Sequence, residues 1–182
     1  MHTYDRTMKT PGANGFTLIE LMVTLTVAAI LAAIAIPAFS NFLHDDRDIS
    51  QVNSLVGSLN YARSEAVKRA AATGVKVCPS LDGVQCTASA WSGGWIVLFP
   101  GPNTVLQAVP ALSGNNVLTN PTNNVGGITF HSSGIVDAPL TIKICDTRGS
   151  AFARDVEVNA TGRIGASQTH GISASQAPLV CP

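Results

Sequence analysis

The chain has 182 residues, with 11 basic and 11 acidic side chains that cancel to a formal charge of zero. It is 46 % hydrophobic and only 12 % charged. That balance argues against a general nucleic-acid binder, which is distinctly basic, and the length allows one membrane helix plus one domain of ordinary size.

The first element is an apolar run. From Phe16 to Phe39 the only ionisable side chain is Glu20, close to the ~20 apolar residues a helix needs to cross a bilayer. Thr17, Thr24 and Thr26 are compatible with it, because a helical hydroxyl can bond back to a carbonyl one turn earlier. Glu20 is the anomaly, since a carboxylate at membrane depth needs a partner. Cleavage between Gly15 and Phe16 would create an α-amine four residues before the acid. Two such helices could then pair the amine of one with the Glu20 of the other, offsetting both desolvation costs and setting register.

Gly15-Phe16-Thr17-Leu18-Ile19-Glu20-Leu21, followed by the apolar helix and Pro37, resembles the class III signal of type IV pilins and pseudopilins. The resemblance implies a leader over residues 1–15, cleavage after Gly15 and N-methylation of Phe16 by a prepilin peptidase. Arg6 and Lys9 precede the cut, opposed by Asp5, and Met8 is an alternative start that would give a leader of more typical length. A secretory signal peptide fits less well, for no A-x-A-like site follows the run.

Residues 16–43 are read as the transmembrane and polymerisation helix, and 44–73 as its amphipathic continuation. Pro37 removes one backbone bond and predicts a kink. His44-Asp-Asp-Arg-Asp48 marks the exit into water. Ile49, Val52, Val56, Leu59, Ala62, Ala66 and Ala70 then recur at helical spacing as a buried face. Gln51, Ser58, Arg63, Ser64 and Lys68 fall on the solvated side, Glu65 and Arg69 form an i,i+4 pair, and Thr73-Gly74 supplies the stop. A continuous helix from Phe16 to Ala72 would be about 85 Å long.

Residues 74–182 read as a β-rich domain. Strands are expected at Val75–Cys78, Gly94–Phe99, Thr104–Val109, Gly127–His131, Leu140–Cys145 and Asp155–Asn159, with an exposed loop over Leu112–Gly127. The fold class is α+β, one long helix packed on a small antiparallel sheet domain. The four cysteines, Cys78, Cys86, Cys145 and Cys181, all follow the span. With the basic leader held inside, they lie where disulfides persist. Of three possible pairings, the Asp82-Gly83 turn favours Cys78–Cys86 and leaves Cys145–Cys181 to staple the tail. No C-x₂-C pair or neighbouring histidine supports a zinc site.

Ala62–Arg69, Val75–Cys78, Trp91-Ser-Gly-Gly-Trp-Ile-Val97, Phe130-His-Ser-Ser-Gly134 and Val156–Arg163, in that order, resemble the GspH/FimT (FimU) branch of minor pilins and pseudopilins. The resemblance implies a subunit that helps initiate or cap a filament assembled at the inner membrane, for type IV pili or for type II secretion. Its partners would be other minor and major pilins or pseudopilins, with the C-terminal domain in the periplasm before it joins the filament at the cell surface.

No catalytic arrangement stands out. His2, His44, His131 and His170 are scattered, Trp91 and Trp95 are read as packing residues rather than a stacking surface, and no phosphate-binding loop is present. The expectation is a non-enzyme with no cofactor and no metal. DNA is the alternative partner, for a minor pilin acting in natural transformation. The resemblance points there to a Gly-Arg-x-Arg loop, and Gly162-Arg163-Ile164-Gly165 keeps its first half while Gly165 replaces the second arginine. Arg148, Arg154 and Arg163 are the candidate contacts. Asp155 and Glu157 on one strand face would repel the same backbone.

Overall fold

The computed structural model describes residues 15–87, 90–120 and 126–181. The expected leader up to residue 14, with His2, Asp5, Arg6, Met8 and Lys9, lies outside them, as does part of the 112–127 segment. The chain divides into two compact units, one reaching to Phe42 and one beginning at Leu43.

Helix α1 runs from Leu18 to Lys68 with Pro37 inside it. Its first turn is held by Thr17, whose Oγ1 accepts the Glu20 amide at 3.3 Å. Thr24 and Thr26 donate their hydroxyls to the carbonyls of Leu21 and Met22. Every residue from Gly15 to Phe42 is exposed in the isolated chain, Phe16 at 80 %. A helix this apolar needs lipid or other helices around it, and by length and composition it can cross a membrane.

In the second unit, two four-stranded antiparallel sheets share one core with α1. The first comprises β1 (Val75–Pro79), β2 (Trp95–Phe99), β3 (Thr104–Val109) and β5 (Ile128–Phe130), ordered β3-β2-β1-β5. The second comprises β4 (Val117–Thr119), β6 (Leu140–Cys145), β7 (Arg154–Val158) and β8 (Ile164–Ala166), ordered β4-β6-β7-β8. Strand alternation sends Val75, Val77, Trp95, Val97, Ile128 and Phe130 from one sheet, and Leu140, Ile142, Ile144, Val156 and Val158 from the other, onto Val52, Leu55, Leu59, Ala62 and Ala66 of the helix. The outer faces carry two smaller clusters. Cys78, Ile96 and Leu98 gather with Cys86, and Cys145, Ala153 and Leu179 gather with Cys181.

Several expectations need correction. The solvated face does not include Gln51 and Ser58, which are buried. Two sheets wrap the helix more widely than one would, and each polar group finds a partner. Ser58 Oγ accepts Trp95 Nε1 at 2.9 Å, and Gln51 Nε2 donates to the Ser113 carbonyl at 3.0 Å. Ile49, placed on the buried face, is 42 % exposed.

The helix also stops earlier than Thr73-Gly74. Ala71 N donates to Ala66 O and Ala70 N to Val67 O, with Ala70 left-handed at φ 45°. That is a Schellman ending, with alanine in the place glycine usually takes. Nor is the segment after Leu112 a plain loop: Val117–Thr119 pairs with β6 and buries Leu118.

Candidate functional site

Where α1 turns polar, four charged side chains from distant parts of the chain meet. Arg148, in the turn after β6, is the centre. Its Nε donates to Asp146 Oδ2 at 2.5 Å and its Nη2 to Asp48 Oδ2 at 3.2 Å, while Nη1 lies 2.8 Å from Asp45 Oδ1. The guanidinium sits over the Phe152 ring, 4.3 Å from its centroid, a stacking that suits a planar cation. The turn itself is closed by Asp146 Oδ1, which accepts the Arg148 amide at 2.8 Å.

The second ring of contacts completes the anchor. Asn116, next to β4, donates to Asp48 Oδ1 at 2.6 Å and to Gln51 Oε1 at 2.7 Å. His44 Nδ1 lies 3.9 Å from Asp146, and His170 Nε2 lies 3.5 Å from Asp45 and 2.9 Å from Arg154 Nη2. Burial raises the Asp48 carboxyl above its ordinary value; the Asn116 bond opposes this, and the neighbouring Asp146 reinforces it. Burial works against the Arg148 charge as well, but bonding to Asp146 and Asp45 outweighs it and raises its pKa. The sequence showed Asp45 and Asp48 only as a sign of emergence into water. Three carboxylates with one arginine among them make an anchor of helix to sheet. Among the described residues, no group of three or more His, Cys, Asp or Glu side chains is placed to hold a metal ion.

The candidate DNA contacts do not form one cationic face. Arg148 is almost buried and faces carboxylates. Arg154 joins the same network through His170 and the Ser167 carbonyl. Arg163 is exposed elsewhere, in the β7–β8 turn, where its amide bonds Asn159 Oδ1 and its carbonyl accepts Asn159 N. Gly162 before it has φ 75°, and a Cβ there would stand 1.9 Å from the Gly134 carbonyl oxygen. Backbone packing therefore accounts for Gly162, and the residues after Arg163 form strand β8. Asp155 needs correcting too. It is fully buried under the C-terminal tail, so it does not repel anything at the surface.

The remaining site residues are placed as follows. Cys78 is bonded to Cys86, and Cys145 to Cys181. Asp82 closes the smaller loop by accepting the amides of Val84 and Gln85. Those bonds, together with one from Ser80, hold its carboxyl below the ordinary range. His131 pairs with Asp137. Trp91 and Trp95 are both buried. Gly15, Phe16 and Glu20 stand together at the exposed head of α1.

Comparison with known proteins agrees with this architecture. Residues 51–162 match the family described as type II transport protein GspH, and residues 11–36 match the prokaryotic N-terminal methylation motif. Two curated proteins from Dichelobacter nodosus, both described as type IV major fimbrial protein FimA, are 46 % identical over 49 residues. That is 27 % of this chain, and the chain spans 31 % of the length of these relatives. Two crystal structures of the Pseudomonas aeruginosa type IV minor pilin FimU share the fold. One has a TM-score of 0.60 at 21 % identity, covering 78 % of this chain and 99 % of that one. The other has 0.54 at 20 %, covering 73 % and 98 %. Family and fold are those of pilins, which are structural subunits, and the apolar helix with its motif fits a membrane anchor. With the family match running across more than half its length, the chain belongs to the type II transport protein GspH family and is built as a pilin.

Proposed function

We infer that this chain is a minor pilin or pseudopilin that helps initiate or cap a filament assembled at the inner membrane, with its C-terminal domain in the periplasm. The observation that carries the reading is the head of α1, an exposed apolar helix with one acid, Glu20, four residues from Phe16. A prepilin peptidase would cut after Gly15 and methylate Phe16. The new amine of one subunit would then meet Glu20 of its neighbour, so that neither charge is left buried without a partner. Helices moving from lipid to a helical bundle gain little from the hydrophobic effect, so such a polar pair decides register. The family description favours a secretion filament, whereas the fold shared with FimU favours a pilus. Either machine would use the same head and would supply other pilins or pseudopilins as partners.

Mass spectrometry of the mature protein should give a chain beginning at methylated Phe16. Glu20→Ala should insert into the membrane as well as wild type but lose most of its incorporation into sheared filaments. Wild-type incorporation by Glu20→Ala would remove the register argument, and an N-terminus upstream of Gly15 would remove the processing step.

A further inference from the structure

The C-terminal segment after β8 folds into a small hairpin whose ends and tip are held differently. At its base Ile172 pairs with Pro178, Leu179 N donates to Gly171 O, and Gly171 N donates to Ala153 O at 2.8 Å. Leu179 is buried against Cys145 and Ala153, and the Cys145–Cys181 bond fixes the far end. The tip is closed on itself by Ser173 and Ala177. It reaches the sheet through two carboxylates on the outer face of β7. Ala174 N donates to Asp155 Oδ1 at 2.9 Å, and Ser175 Oγ donates to Glu157 Oε1 at 2.8 Å.

Asp155 has no exposed surface, and its Oδ2 receives no donor. The Glu157 carboxylate, two residues on along the same strand face, acts to raise its pKa. Two ionised carboxylates offer only acceptors to each other, whereas one proton between them satisfies both. The charged groups around the pair are few. Lys143 of β6 stands opposite Asp155 in the ladder and stabilises its charge. Arg163 lines a cleft of about 200 Å³ with Glu157, Asn159, Gly165 and Ala174. The hairpin tip and strand β8 contribute no charged side chain.

We propose that a proton shared by Asp155 and Glu157 latches the tip of the 171–179 hairpin onto β7, so that the tip closes as pH falls and opens as pH rises. Burial moves the Asp155 carboxyl from its ordinary 3.8 to about 6, outweighing the Ala174 amide bond, which favours the ionised form, and Glu157 beside it adds to the rise. Covering the acid therefore favours its protonated form, and linkage requires that removing the proton favours uncovering it. Opening is confined to the tip, because the base is stapled at Gly171 and at Cys181. It also changes the cleft beside it. Of the two acids only Glu157 lines that cleft beside Arg163.

The test is hydrogen exchange on the full chain in detergent micelles, with amide rates normalised to their intrinsic values at each pH. Residues 172–177 are read against β6 as an internal reference. Between pH 4 and pH 8, protection at the Ala174 amide should fall by roughly 60-fold relative to β6, the factor set by an acid that titrates near 6 when covered and near 3.8 when open. Asp155→Asn should flatten that dependence to within about twofold. Glu157→Gln, whose amide can donate to Asp155 without a proton, should reduce that dependence and leave only the part that burial of Asp155 sets. The latch is refuted by wild-type protection that is level across the range, or by either variant keeping the wild-type slope.

Discussion

Arg148 ties Asp45 and Asp48 of α1 to the turn after β6. It carries the only positive charge within 4 Å of Asp48 among the described ion pairs, and Asp48 and Asp146 are both buried. Truncating one partner of a buried ionic cluster leaves the others uncompensated, a loss of about 3–5 kcal/mol. Arg148→Ala is therefore expected to lower stability by that amount in a urea titration, and Arg148→Lys to recover only part of it, because an ammonium cannot fork across three carboxylates. Arg163→Ala is the control. Its side chain is exposed, and its structural bonds are made by its backbone, so it should change stability by less than about 0.5 kcal/mol. A comparable loss in both variants would show that Arg148 does not anchor the helix.

At the scale of elements, the end of α1 carries the clearest local cost. Ala70 holds a left-handed conformation that glycine adopts freely and alanine does not. Ala70→Gly is expected to raise stability by about 0.5–1 kcal/mol, read as a higher denaturation midpoint at unchanged slope; a lower midpoint would show that the Ala70 methyl contributes packing there. Residue patterning revealed α1 and six strands, five of which are long enough to repeat their alternation. It missed β4 and β8, three residues each; β4 pairs with the later β6, and β8 with the neighbouring β7. It also misjudged Gln51 and Ser58, since a polar side chain looks solvated until the sheet that satisfies it is in place. The head of α1 was legible because its motif is local. The Arg148 cluster was not, because Asp48 and Arg148 lie 100 residues apart.

For the whole molecule, the acids divide into two groups with opposite effects. Hydrogen bonding from Arg69 lowers the Glu65 carboxyl, and backbone amides lower that of Asp82. Their contribution is present above their ordinary values of 4.5 and 3.8 and fades as pH falls below them. Burial raises Asp48 and Asp155, whose contribution is complete below 3.8 and is lost as pH rises, for Asp155 through about 6. Stability should therefore peak well on the acidic side of neutral, near pH 4, in thermal melts followed by circular dichroism from pH 3 to pH 8. A melting temperature that climbs steadily to pH 8 would contradict this balance.

The two disulfides also differ in when they can form. Cys78 and Cys86 are separated by 8 positions, so chance encounter joins them early. Cys145 and Cys181 are separated by 36, and the segment between them contains β7, β8 and the hairpin. Those strands bring the two thiols together, so the bond records that the second sheet has already folded. An oxidant acting on the emerging chain would close the small loop first and the long one last. The long closure is then a seal on finished structure rather than a guide to it.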